Sequence, residues 1–135
     1  MNLEHLISYL PQNADLYVKK WLENHFVTLK ITRKRQTKLG DYRKLVENNR
    51  HQITVNGDLN PYAFFFVFTH EVAHLKTFVQ FDSRRINPHG KEWKTIFGHL
   101  LLDSLEIYPD ELKPYIIHHA KHPKASLGAD INVSK

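Results

Sequence analysis

The chain contains no cysteine. Disulfides, a thiol nucleophile and thiolate metal sites are therefore excluded within these residues, and the composition suits a reducing compartment. Long apolar runs are missing too. The longest, Ala63–Phe68, falls far short of the ~18–20 residues that cross a bilayer, so it reads as core and no membrane association is expected. The opening Met1-Asn2-Leu3-Glu4-His5 has no basic start followed by an apolar stretch. No secretory signal is expected, and the expected location is the cytoplasm. There is no internal repeat and no low-complexity segment.

What is present suffices for one core. Hydrophobic residues make up 41% of the 135, and a single domain is typically about 100–200 residues. The expectation is a monomeric domain over residues 1–120, with a weakly patterned tail over 121–135. The net charge is +5 and the isoelectric point about 9.4, a balance that favours polyanionic partners. The charge is concentrated. Lys30, Arg33, Lys34, Arg35, Lys38, Arg43 and Lys44 face one acid, Asp41, in the same stretch. Such a run is either a solvated cationic face or a nucleic-acid surface.

Leu3, Leu6, Ile7 and Leu10 recur at helical spacing and stop at Pro11, predicting a short helix. A second helix follows, with Asn13 or Asp15 near its cap and Val18, Trp21 and Leu22 inward. From Phe26 the period becomes two. Val27, Leu29 and Ile31 alternate with Thr28, Lys30 and Thr32, the pattern of a half-buried strand. Further strands are expected near Tyr42–Glu47 and His51–Val55, and the short turns between the three predict an antiparallel sheet. Asn60-Pro61 starts a helix to about Phe78, with Asn as cap and Pro in the first turn. Asn87-Pro88 repeats the signal for a helix to about Asp103, and Pro109-Asp110 introduces a last one through Ile117. The order predicts an α+β fold: helices, a small three-stranded sheet, then helices.

The chemistry sits in the first long helix, at His70-Glu71-Val72-Ala73-His74. Residues four apart lie about 40° apart around a helix, one turn along, so both imidazoles can converge on one ion. Glu71 is too far around to join them, but its carboxylate can reach a water held at an open metal position. Zinc with three protein ligands lowers that water's pKa towards ~7, and a carboxylate can then take its proton.

A third ligand is required. Metzincin-type sites place a glycine and a histidine shortly after the second ligand, where this chain has Thr77 and Gln80. That class is excluded. A glutamate from the next helix would be Glu92. His89 is better placed, at the mouth of that helix in Asn87-Pro88-His89-Gly90-Lys91-Glu92-Trp93. Gly90 removes bulk beside it, Trp93 anchors the helix to the core, and Glu92 then becomes an outer partner or faces water. His99 lies about 80° off the face of His89 and is not expected to ligate. His5, His25, His51, His118, His119 and His122 are expected to be solvated surface residues.

From about Trp21 to Leu102 the chain resembles the SprT-like metallopeptidase domain family. The resemblance rests on the basic segment Ile31-Thr32-Arg33-Lys34-Arg35 with Lys38-Leu39-Gly40-Asp41-Tyr42-Arg43, and on His51-Gln52-Ile53-Thr54-Val55-Asn56. It continues through Leu59-Asn60-Pro61, the His70–His74 motif and Pro88-His89-Gly90-Lys91-Glu92-Trp93. It implies one zinc ion on His70, His74 and His89, catalysis by Glu71, a zincin-type minimal metallopeptidase fold and protein substrates associated with DNA. Relatives often carry a cysteine-based zinc ribbon or further DNA-binding segments. No cysteine-based ribbon or further DNA-binding segment lies within these residues: either the sequence stops short of one, or DNA contact rests on the basic hairpin, on Arg33, Lys34, Arg35, Lys38 and Arg43. Tyr42 or an arginine of that hairpin is a candidate for stabilising the oxyanion. Two other readings are a non-catalytic nucleic-acid-binding module with structural zinc, and a metallopeptidase unrelated to DNA. An intact Glu71 speaks against the first.

Overall fold

The computed structural model describes residues 3–33, 38–47, 49–81 and 86–124. Lys34, Arg35 and most of the 121–135 tail lie outside the described residues. Two helices, α1 (Leu3–Ile7) and α2 (Ala14–Leu22), precede three strands, β1 (Phe26–Thr32), β2 (Gly40–Lys44) and β3 (Arg50–Asn56). Three further helices follow: α3 (Pro61–Phe81), α4 (Lys91–Asp103) and α5 (Lys113–Lys121), with a short 3-10 turn at Leu105–Ile107. The fold is α+β, as expected.

The sheet departs from expectation. Its order is β1-β3-β2, with β2 antiparallel to β3 but β1 parallel to it. It is mixed, not purely antiparallel. Only β2 and β3 are joined as a hairpin, and β3 is the most buried strand, from Ile53 to Asn56, so it takes the centre. Strand β1 takes the other edge, away from β2, and runs with β3. Sequence neighbours in a run of short strands need not pair.

Helix α3 is buried on nearly every side. Phe64, Phe65, Phe66, Val67 and Phe68 are all 0–1% exposed, and each such side chain contributes about 1.5–3 kcal/mol by leaving water. Asn60 Oδ1 accepts the Ala63 N–H at 2.9 Å, capping the first turn as Asn does. The buried hydroxyls of Thr69 and Thr77 are satisfied inside the helix, donating to the carbonyls of Phe65 and Ala73 at 2.7 Å each. With α3 as the spine, the sheet packs on one flank and α4 on another, and α5 packs on α4. Helix α2 is tied to the far end of α4 through Asp103, which accepts from Trp21 Nε1 at 3.0 Å and Lys20 Nζ at 2.9 Å. No helix among the described residues is long and apolar enough to cross a membrane.

Candidate metal centre

Asn87 sets the third histidine apart from its helix. Its Oδ1 accepts the His89 N–H at 3.0 Å and its carbonyl accepts from Gly90 at 3.0 Å. The segment Asn87–Gly90 is therefore a turn, and α4 begins only at Lys91, later than the Asn87-Pro88 signal suggested. The turn holds His89 over the middle of α3, where His70 and His74 emerge one turn apart. The candidate ligand atoms of His70, His74 and His89 all lie within 4.8 Å of one another, and these three can hold a metal ion. The closest approach is His74 Nε2 to His89 Nε2, at 3.0 Å.

Trp93 backs the cluster. It is fully buried, and its ring lies 4.7, 5.3 and 4.8 Å from those of His70, His74 and His89. Its Nε1–H also points at the His70 carbonyl, at 3.4 Å. Burial, reinforced by the neighbouring histidines, pushes His70 down to about 2 and His74 down to about 4. Burial lowers His89 as well. All three rings are thus neutral near pH 7, the form that ligates metal. Two nitrogens on one tetrahedral ion at ~2.0–2.1 Å stand about 3.3 Å apart, so the donor set and its spacing fit a small divalent cation.

Glu71 is 4% exposed, on α3 next to the first histidine and facing β2. Strand β2 supplies the opposite wall. In register with β3, Gly40, Tyr42 and Lys44 stand beside Val55, Ile53 and His51. Tyr42 stacks on His74, with ring centroids 6.5 Å apart and planes 12° from parallel. Its hydroxyl lies 2.8 Å from His51 Nδ1, and burial raises its pKa well above the usual phenol range.

Asp41 organises what remains of the basic hairpin. It pairs with Lys38 Nζ at 3.3 Å and Arg43 Nε at 3.0 Å, and its charge is felt at His74. Arg33, Lys38 and Arg43 are exposed, but two of these three share the one carboxylate. Glu92 does not join the histidines and is half-buried. His99 is exposed and is not among the three converging histidines.

Two histidines expected at the surface are buried. His51 is 5% exposed and packs against Phe78 of α3. His119 is 6% exposed and meets Phe66 and Phe97 edge-on. Both signals were in the sequence: His51 is in phase with Ile53 and Val55 along β3, and His119 follows Leu112 and Ile116 at helical spacing.

An α+β domain with three neutral imidazoles converging beside a buried carboxylate is a candidate metalloprotein. A model of the SprT-like family matches residues 9–107, and the chain belongs to that family. Comparison with curated proteins and with solved structures gives no match.

Proposed function

We propose that this chain is a zinc-dependent metallopeptidase with a zincin-type centre, carried by residues 1–120 as one monomeric, cytoplasmic domain. The observation that carries the reading is the convergence of His89 on His70 and His74, with Glu71 on the same buried helix as those two. Family membership supports it. Held by those three imidazoles, zinc would act as a Lewis acid on the scissile carbonyl and would make a bound water easier to deprotonate. Glu71 would accept a proton from the attacking water and return it to the leaving amine. Tyr42 would steady His74 by stacking, and its hydroxyl would reach a developing oxyanion only on leaving His51. Among the described residues β2 pairs on one side alone, so its other edge offers backbone groups to an extended peptide beside Glu71.

The substrates would be protein chains held near nucleic acid, with Arg33, Lys34, Arg35, Lys38 and Arg43 as proposed phosphate contacts. The pairing of Lys38 and Arg43 with Asp41 makes this the weaker part, and a peptidase indifferent to DNA is the alternative. The test is Glu71→Gln, which keeps shape and hydrogen bonding but cannot take a proton. Zinc content should stay near one per chain while casein cleavage, measured with and without DNA, falls at least ~10²-fold. Full activity in the zinc-loaded variant would sink the mechanism.

A further inference from the structure

A second cationic surface lies away from the metal, where the end of α5 crosses α4. The crossing depends on a glycine. A β-carbon on Gly98 would stand 2.5 Å from the Ala120 carbonyl oxygen, so the helices can approach this closely only there. Beside that crossing runs an open groove of about 460 Å³. This falls within the roughly 300–1,000 Å³ of ligand sites and exceeds what a lone ion fills.

The lining is one-sided in charge. Lys91 and Lys94 come from α4 and Lys121 from α5, with His99 between them, and no carboxylate lines the groove. All three lysines are exposed, and among the described residues none is in an ion pair. In the hairpin, by contrast, one carboxylate offsets part of the charge of Lys38 and Arg43, while Arg33 stands exposed outside that pair. In the groove, Leu102, 46% exposed, Ala120 and Pro123 add apolar surface among the cations.

We propose that this groove binds the phosphate backbone of a nucleic acid. Lysines act as point charges that attract phosphates without reading bases. From Lys91 to Leu102 the helix rises roughly 16 Å at 1.5 Å per residue, a length over which a nucleic-acid strand presents several phosphates. Sugars or unstacked bases would lie against Leu102, Ala120 and Pro123. Lys91 is two residues from His89, so a strand held here passes beside the metal centre. The site requires neither zinc nor peptide hydrolysis, so it stands or falls separately from the proposed activity.

The test is fluorescence anisotropy with labelled single- and double-stranded oligonucleotides across a salt series. It compares the unaltered protein, a Lys91→Ser/Lys94→Ser/Lys121→Ser triple variant, and an Arg33→Ser/Lys38→Ser/Arg43→Ser variant. The groove variant should bind at least about ten-fold more weakly at low salt. Its log K against log salt should flatten by about 0.7–0.9 for each phosphate that is no longer neutralised. The hairpin variant should lose less. Substituting arginine at the three groove positions should restore binding. Equal affinity in the unaltered protein and the groove variant would overturn the site, as would undetectable binding by the unaltered protein at low salt. Competition by polyglutamate as effective as that by unlabelled oligonucleotide would assign the groove to an acidic protein instead, and competition by inorganic phosphate at equal phosphate concentration would reduce it to a simple anion site.

Discussion

Gly40 of β2 lies directly against Glu71 of α3: a β-carbon built on it would stand 2.9 Å from Glu71 Oε2 and 2.6 Å from Val67 Cγ1. The Thr54 carbonyl oxygen, 3.2 Å away, blocks retreat toward β3. The strand can therefore wall the carboxylate closely only because this residue has no side chain. Gly40→Ala should cost about 1–3 kcal/mol by overpacking, measured by urea unfolding. It should also lower peptide hydrolysis while metal content stays unchanged, because the group displaced is Glu71 and not a histidine. Unaltered stability and activity would mean that β2 yields at no cost and does not set the carboxylate's position.

The turn Asn87–Gly90 carries a second expectation, for metal affinity. His89 belongs to the cluster and Glu92 does not. His89→Ala should strip most of the bound zinc, with a loss in affinity beyond the ~10–100-fold typical of outer partners. Glu92→Ala should leave the stoichiometry near one. Metal analysis and chelator competition on both variants decide it, and the reverse pattern would move the third ligand to Glu92.

Local chemistry made the helices legible. The apolar run Ala63–Phe68, the Asn60 cap and the four-residue histidine spacing all act within one turn or two of each other, so α3 and its two imidazoles could be read directly. Trp93 could be read as an anchor for the same reason. The sheet could not be read this way. Whether β1 pairs with β2 or with β3 depends on which strand the core claims for its centre, and Ile53 and Val55 win that place through packing on α3 far along the chain. Burial of His51 and His119 was hidden by residue type. A histidine in phase with apolar neighbours counts as polar in a hydropathy pattern, although its neutral ring packs like an aromatic. The role of Gly40 could not be read at all, because close approach across elements leaves no mark on local sequence.

Acid sensitivity of the fold should be traceable to His51. Lys44 stands across from it on β2, His25 lies beside it from the segment before β1, and Phe78 of α3 closes the remaining side. Burial, then Lys44 and His25, push its pKa down to about 4 from an ordinary 6.5. The unfolded chain takes up this proton near pH ~6.5, whereas the folded chain resists it. Stability is therefore complete above pH 6.5 and is lost as the pH falls, until the native ring itself titrates near 4. The slope is about 1.4 kcal/mol per pH unit for one such group. His51→Asn keeps an amide near the Tyr42 hydroxyl and removes the titration. Urea unfolding of chelator-treated protein, followed from pH 7.5 to 4.5, should show the unaltered chain losing stability faster than the variant. The gap should widen by about 1.4 kcal/mol per unit below pH 6.5. Because His70, His74 and His89 titrate in both proteins, their contribution cancels in the difference. Parallel curves would mean that His51 takes up its proton as readily folded as unfolded, and that the buried Tyr42–His51 pair does not resist acid.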